Sequence, residues 1–175
     1  MRRLTAFAAS AVLSIAIHVT PLAAQSTSGQ DLTPEGRGAY VAVAGASELF
    51  AIRAAEKALE KAERPEVRTF AQSMLEEHRT SLERLGEVAR SVGLGELIPP
   101  GMLPMHWAML HDLDDASSSR VDDVYIDQQV EAHEVAVELH RNFAANGSDA
   151  RLKEFARASA PTASRHLESA RRLDQ

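Results

Sequence analysis

The 175-residue sequence contains no cysteine. This absence excludes disulfide bonds, thiolate zinc sites, iron–sulfur clusters and cysteine nucleophiles. Stability must therefore come from a packed hydrophobic core. A chain of this length is long enough to build one domain around such a core.

Several other signatures are missing. The sequence shows no sustained alternation of apolar and polar residues, which is the pattern of β-strands. It also lacks the Gly-x-Ser-x-Gly elbow, the phosphate-binding loop and the dinucleotide fingerprint. Serine hydrolases of that type and nucleotide-binding enzymes therefore have no support, and the residues alone establish no enzymatic activity.

The N-terminal residues 1–24 have the pattern of a signal peptide. A basic start, "MRR", precedes the apolar run "LTAFAASAVLSIAIHV", and the small residues of "TPLAAQS" predict cleavage after Ala24. An uncleaved anchor is the alternative, although the run is short and alanine-rich for a membrane span. Residues 25–37 predict a flexible leader. We expect an exported protein, periplasmic or else outer-membrane associated or secreted, without a lipid anchor.

The charge of the mature chain is acidic. Removal of the signal peptide takes away Arg2 and Arg3 and no acidic residue, which changes the formal charge from −6 to −8. An acidic surface argues against nucleic acid and against an anionic membrane surface as partners. We expect no membrane span after signal removal, and an envelope protein is the partner class left open.

Helical periodicity begins near residue 38 and predicts four long helices. Pro65 suits the first turn of the second helix, while "GLG" and "NG" suit the ends of the second and third. Ser119 is predicted to cap the third helix, with Asp122 as its capping-box partner. The predicted helices span residues 38–62, 65–92, 120–145 and 149–173.

The connections between these helices predict the topology. Short loops join the first helix to the second and the third to the fourth, so each pair forms an antiparallel hairpin. The connection 93–119 is long and contains a short helix, "PMHWAMLHDLDD". Ser148 or Asp149 should cap the fourth helix, and Pro161 should kink it. Two hairpins joined by one long crossover predict an all-α, ferritin-like four-helix bundle over residues 38–174.

Each long helix carries one ligand-capable residue at the centre of its apolar stripe. At 100° per residue, these residues are Glu48, His78, His133 and His166. Glu48 lies 16 residues before its hairpin and His78 lies 14 after it, so the two should face each other at one level. His133 lies 14 residues before its hairpin and His166 lies 19 after it. That difference predicts an axial offset of about 7 Å for His166 unless the last helix kinks.

Two interpretations of these four residues remain open at this point. One carboxylate and three imidazoles suit a single Zn, Fe, Mn or Cu ion. Gln129, Tyr125 and Asp122 are then candidates for a surrounding shell that orients the ligands. Alternatively, Glu48 pairs with a protonated histidine in a buried network that only specifies packing. The protein would then be a non-catalytic structural or interaction module of the envelope.

A di-iron centre is disfavoured. Di-iron bundles of the ferritin type use Glu-x-x-His on two of their helices. In this sequence the residues three positions before the histidines are Leu75, Val130 and Ala163. Glu76 and Glu77 precede His78 directly but point away from its stripe, so oxidase-type iron chemistry has only weak support.

The crossover contains a second group of metal-binding residue types. Thioether and imidazole ligands suit copper, and the segment contains Met102, Met105, Met109, His106 and His111. The stronger interpretation is an amphipathic helix that packs on the bundle through Met105, Met109, Trp107 and Leu110.

At these residues the chain resembles the bacterial envelope family called domain of unknown function 4142. The resemblance lies in "ASELFAIRAAEKA", "PEVRTFAQSMLEEHRTSLERL", "VDDVYIDQQVEAHEVAVELH" and "SAPTASRHLESARRL". Seven residues fall on family motif positions: Glu48, His78, Asp122, Tyr125, His133, Pro161 and His166. The family usually has Phe where this chain has Val121. The resemblance implies export and a ferritin-like helical bundle, and it implies no established activity.

Overall fold

The computed structural model describes residues 36–175, and this part of the chain is all-α, with five helices and no strand. The predicted signal peptide and almost all of the predicted leader lie outside the described residues. The helices are α1 (Arg37–Lys61), α2 (Pro65–Ser91), α3 (Pro104–Asp115), α4 (Val121–Asn146) and α5 (Ala150–Leu173), with a short 3₁₀ helix at Gly95–Leu97.

The predicted helices are confirmed, and each predicted boundary differs from the observed one by no more than one residue. Pro65 occupies the first turn of α2, where its missing N–H costs nothing. The side chain of Asp149 caps α5 by accepting hydrogen bonds from the backbone N–H groups of Arg151 and Leu152. α5 continues unbroken through Pro161.

Four helices pack around a common axis. α1 packs against α2 and α4, and α5 packs against α4 and α2, so the order around the bundle is α1, α2, α5, α4. α3 lies across α1 and α4, where it buries Leu110 and Leu113. No helix within residues 36–175 is long and apolar enough to span a bilayer.

The hydrophobic core consists of two clusters. One surrounds Phe50, Met74 and Tyr125 and extends toward the α1–α2 turn. The other surrounds Tyr40 and Phe143 at the opposite end of the bundle. Between them lies a layer of buried polar side chains, which the next section describes.

The connection between α2 and α3 packs closely on α1. A Cβ atom added to Gly45 would lie 3.1 Å from Pro99 Cδ, so a larger residue at this position would push the crossover away. Gly93 adopts a positive φ of 75° at the end of α2, a conformation that glycine accepts without strain.

The predicted capping box at the start of α4 is wrong. Arg120 occupies the cap position, and no side chain caps the helix. The Asp122 carboxylate instead accepts hydrogen bonds from the backbone N–H groups of Glu63, at 3.2 Å, and Arg64, at 2.9 Å. These donors have no helical partner because they lie at the start of α2. Asp122 therefore ties α4 to the α1–α2 turn.

Replacing Asp122 with alanine should lower the free energy of unfolding by about 1–2 kcal/mol, because two backbone N–H groups lose their acceptor. Denaturant titration measures this change. Asp123→Ala is the matched control, since Asp123 is an exposed neighbour in the same helical turn. Equal losses in the two variants would contradict the role of Asp122.

Candidate metal centre

Three imidazole rings, one each from α2, α4 and α5, meet at the centre of the bundle. The ring centroids of His78 and His133 are 5.4 Å apart, those of His78 and His166 are 5.3 Å apart, and those of His133 and His166 are 5.2 Å apart. One nitrogen from each ring lies within 4.8 Å of the others. The predicted axial offset therefore does not keep His166 out of the cluster.

His78 is oriented by Glu48. The Nδ1 atom of His78 lies 2.6 Å from Glu48 Oε2, and the Ser81 hydroxyl donates to Glu48 Oε1 at 2.6 Å. Both carboxylate oxygens of Glu48 are thus hydrogen-bonded. The carboxylate lies on the side of His78 opposite the other two rings. Glu48 was predicted as a metal ligand, but its present contacts are those of a residue that holds a ligand in place.

His133 is oriented by its own helix. Its Nδ1 atom lies 2.8 Å from the backbone oxygen of Gln129, one turn earlier. A carbonyl oxygen only accepts, so Nδ1 carries the proton and Nε2 has a free lone pair. His133 Nε2 lies 3.3 Å from His78 Nε2.

His166 is oriented by Glu77. The Nε2 atom of His166 lies 3.1 Å from Glu77 Oε2, while its buried Nδ1 atom has no hydrogen-bond partner among residues 36–175. Sequence reasoning missed this role because Glu77 points away from the stripe of His78. It lies 100° around α2, on the side that faces α5. Ser81 was also missed, although its place three residues after His78 on the same helical face was a usable signal.

The three rings share one pattern of protonation. Each places one nitrogen against an oxygen acceptor, so the lone pairs left over are those of His78 Nε2, His133 Nε2 and His166 Nδ1. Two lone pairs 3.3 Å apart repel each other. A metal ion bound by both nitrogens, or a proton shared between them, removes this repulsion.

Burial and neighbouring charges shift the pKa values of these groups. Burial opposes ionisation of Glu48, but His78 and Ser81 outweigh it, so the pKa of Glu48 is lowered. Burial, reinforced by the neighbouring rings, holds the pKa of His133 well below its ordinary value. Burial likewise lowers the pKa of His166, against the opposing effect of Glu77. His133 and His166 are therefore neutral near pH 7, as metal ligation requires.

The three predicted outer residues lie at different levels of α4. The backbone of Gln129 contacts His133, but its fully buried side-chain amide has no hydrogen-bond partner in the described part of the chain. Tyr125 lies one turn further away, packed near Phe70, and its hydroxyl likewise has no partner within residues 36–175. Asp122 lies 11 residues before His133, about 16 Å along the helix, and binds the α1–α2 turn.

The crossover residues do not form a second cluster with one another. His106 is buried and stacks on Phe50 with ring centroids 4.7 Å apart, whereas His111 is exposed. Leu110 packs in the core and Met109 packs against it, as predicted for an amphipathic helix, and Met102 packs against the same cluster. Met105 and Trp107 were also predicted to pack there, but about half of each side chain is exposed. Their positions on α3 point away from the buried stripe of Leu110.

A cavity of about 310 Å³ adjoins the three imidazoles. All four long helices line it, and its wall includes Glu48, His78, His133 and His166. His140, two turns after His133, lines the cavity as well, and its Nδ1 atom lies 3.0 Å from the hydroxyl of Tyr40. The candidate centre is therefore accessible to a small molecule from within the bundle.

The family described as "Domain of unknown function (DUF4142)" matches residues 22–173. The chain belongs to this family. The resemblance stated from the motifs is thereby confirmed. A comparison of the DUF4142 chain with curated proteins finds no match.

Two solved structures share the fold of this DUF4142 chain. One is a DUF305 fragment from Deinococcus radiodurans, with 16% identity, a TM-score of 0.67, and coverage of 78% of this chain and 93% of that one. The other is CopM in the Cu(II)-bound form, with 21% identity, a TM-score of 0.66, and coverage of 79% and 95%. At these identities the likeness concerns the fold.

Acidification should destabilise the metal-free protein through His140. Burial lowers the pKa of His140 from 6.5 to about 4, so the unfolded chain takes up the proton first as the pH falls. The stabilising contribution is fully present above pH 6.5 and is lost as the pH falls toward 4. It amounts to about 3 kcal/mol. Denaturant titration between these pH values should show that the free energy of unfolding of His140→Leu falls less steeply than that of wild type.

His111→Leu is the control for this experiment, because His111 is exposed. This variant should retain the full pH dependence of the wild type. If the free energy of unfolding of His140→Leu falls with pH as steeply as that of wild type and of His111→Leu, the acid sensitivity comes from other groups.

Removing the buried Gln129 amide should stabilise the metal-free protein. Gln129→Leu takes away two buried polar atoms that have no hydrogen-bond partner among the described residues, which is worth about 1–3 kcal/mol. Thermal unfolding measures the gain. Metal binding should be unchanged, since His133 contacts the backbone of Gln129. A loss of stability would show that the amide has a partner such as a buried water.

Proposed function

We propose that this protein binds one transition-metal ion through His78, His133 and His166. The observation that carries the proposal is the convergence of three ring nitrogens, each on a ring whose other nitrogen lies within hydrogen-bonding distance of an oxygen. Outer oxygens of this kind fix the tautomer and orientation of metal-binding histidines.

The spacing of the nitrogens supports the proposal. Two nitrogens bonded to a tetrahedral ion at about 2.0–2.1 Å lie about 3.4 Å apart. The observed separation of His78 Nε2 and His133 Nε2 is 3.3 Å. The third ring is close enough for small side-chain rotations to complete the set, because all three ligand nitrogens lie within 4.8 Å.

Glu48 has a supporting role in this proposal. Its carboxylate accepts the Nδ1 proton of His78 and so increases the basicity of the ligating Nε2 atom. Direct ligation by Glu48 would require it to give up its hydrogen bonds to His78 and Ser81. Glu77 has the corresponding role for His166.

The ligand set favours particular metals. Three neutral imidazoles suit Cu²⁺ and Zn²⁺ better than Mn²⁺ or Mg²⁺, which prefer oxygen ligands. CopM, whose fold is similar, is known in a Cu(II)-bound form, so copper is the first metal to test. The cavity beside the rings leaves room for a ligand from solution at a fourth coordination position.

The proposal includes two further elements. Export is supported by the signal-peptide pattern of residues 1–24. A ferritin-like arrangement is supported by the two antiparallel hairpins joined by a long crossover.

A second candidate function rests on the same contacts. A protonated His78 could donate to both Glu48 and His133, at 2.6 and 3.3 Å, without any metal. The protein would then be a structural or interaction module in which the polar layer only specifies packing.

Metal analysis of the purified full-length protein tests the first candidate. Wild type should bind about one Cu²⁺ or Zn²⁺ per chain, and His133→Ala should lose this binding. Glu48→Gln should bind about 10–100-fold more weakly. Affinity should fall below about pH 6.5, because protons compete for the imidazoles.

His111→Ala is the control for these variants, since it removes an exposed histidine and should leave the metal content unchanged. Absence of metal from wild type, or its retention by His133→Ala, overturns the metal proposal. A metal-free wild type with both His78 nitrogens protonated in NMR spectra would support the packing network.

A further inference from the structure

The cavity beside the imidazoles exists because small side chains line three of the helices. They are Ala44 and Ala51 on α1, Ala132 and Ala136 on α4, and Ala158 and Ala163 on α5. Its volume of about 310 Å³ is within the range of small-molecule sites. The cavity is partly open to solvent, because exposed residues such as Thr80 and Ala158 are among those that line it, so a small molecule can enter it.

His140 presents a hydrogen-bond donor to this cavity. The Tyr40 hydroxyl lies 3.0 Å from His140 Nδ1, and it has no other acceptor within residues 36–175. We therefore assign the proton of this bond to Tyr40 and the ring proton to His140 Nε2. No group in the described part of the chain hydrogen-bonds Nε2. The ring is 5% exposed and lines the cavity.

The two polar ends of the cavity are separated by an apolar stretch. His133 and His140 lie seven residues apart, about 10 Å along α4. Ala136 lies between them on the same face, and Leu139 and Phe155 add to the apolar wall. Hydroxyl side chains such as Ser159 and Thr162 line the cavity from α5. A metal–oxygen bond of about 2 Å and a hydrogen bond of about 2.9 Å leave about 5 Å to be spanned by the ligand.

We infer that the cavity binds a short carboxylic acid that coordinates the metal at one end and accepts a hydrogen bond from His140 Nε2 at the other. The chain between the two oxygens has about four carbons and lies along the alanines. This inference rests on the proposed metal function. The metal ion at the three histidines takes an oxygen ligand, and the N–H group of His140 takes a hydrogen-bond acceptor. The alkyl chain matches the apolar wall between them.

The charges around the cavity are compatible with a monoanion. Three acidic side chains line the cavity. Glu48 and Glu77 are each hydrogen-bonded to an imidazole, and the exposed Glu76 accepts a hydrogen bond from Gln72. Three neutral imidazoles leave the charge of a divalent ion uncompensated among its direct ligands. Arg84 adds a positive charge to the wall of the cavity.

Two isosteric acids test the inference on the Cu²⁺-loaded protein. 4-Oxopentanoate and 4-methylpentanoate have the same charge, length and branching, but only the first has an oxygen acceptor at the far end. Titration followed by the visible absorption of Cu²⁺ should show wild type preferring 4-oxopentanoate by about tenfold or more, the effect of one hydrogen bond of about 1.4 kcal/mol.

Substitutions at His140 identify the donor. His140→Leu should bind copper normally and lose the preference between the two acids. His140→Gln retains an N–H group near the position of Nε2 and should recover part of the preference. Ala136→Leu should weaken binding of both acids, because its larger side chain fills the cavity.

The copper content of each variant is read before the acids are added, so the two proposals fail separately. Wild type that binds neither Cu²⁺ nor Zn²⁺ overturns both. Copper-loaded wild type without a preference, or the same preference in His140→Leu, overturns the carboxylate inference and leaves metal binding intact. If His140→Leu does not fold, His140→Phe replaces it. His140→Phe keeps an aromatic ring but has no N–H donor, so an undiminished preference there overturns the inference.

Discussion

Burial of one carboxylate and three imidazoles in the middle of a helical bundle is the constraint on which this structure depends. An isolated charge at that depth costs several kcal/mol, so each of these groups has to be either paired or neutral. Glu48 ionises there because His78 and Ser81 hydrogen-bond both of its oxygens. His133 and His166 avoid the cost by remaining neutral. The layer separates two apolar clusters, which exclude water from either side.

The hydrogen bonds between the histidines and the surrounding oxygens determine which ring nitrogens face the centre of the layer. Each histidine gives its proton to an oxygen at the edge of the layer, and the remaining lone pairs face inward. Three acceptors that face one another require a cation. A metal ion and a proton both meet that requirement, which is why a metal site and a packing network share the same apo geometry. The metal site and the packing network differ in charge, because only the metal site places a divalent ion beside the open cavity.

Much of this architecture follows from local sequence. The apolar stripes, Pro65, Asp149 and the glycines set the helix boundaries to within one residue, because helical periodicity and caps act over short distances. The same periodicity put Glu48, His78, His133 and His166 on the inner faces. Loop lengths then determined which helices form hairpins.

Other features depended on contacts between distant segments. Asp122 fitted a capping box by sequence, but it accepts bonds from the start of α2 because those N–H groups have no helical partner. Glu77 lay off the core stripe, yet it meets His166 because α5 packs on that side of α2.

The sequence by itself therefore determined the helices, their order and the residues that face inward. Only the tertiary structure decided that His166 joins the cluster, that Glu48 contacts His78 from outside it, and that alanines from three helices enclose a cavity. The reason is physical. Periodicity gives the direction of a side chain around its own helix, whereas distances between helices depend on how all of their side chains pack together.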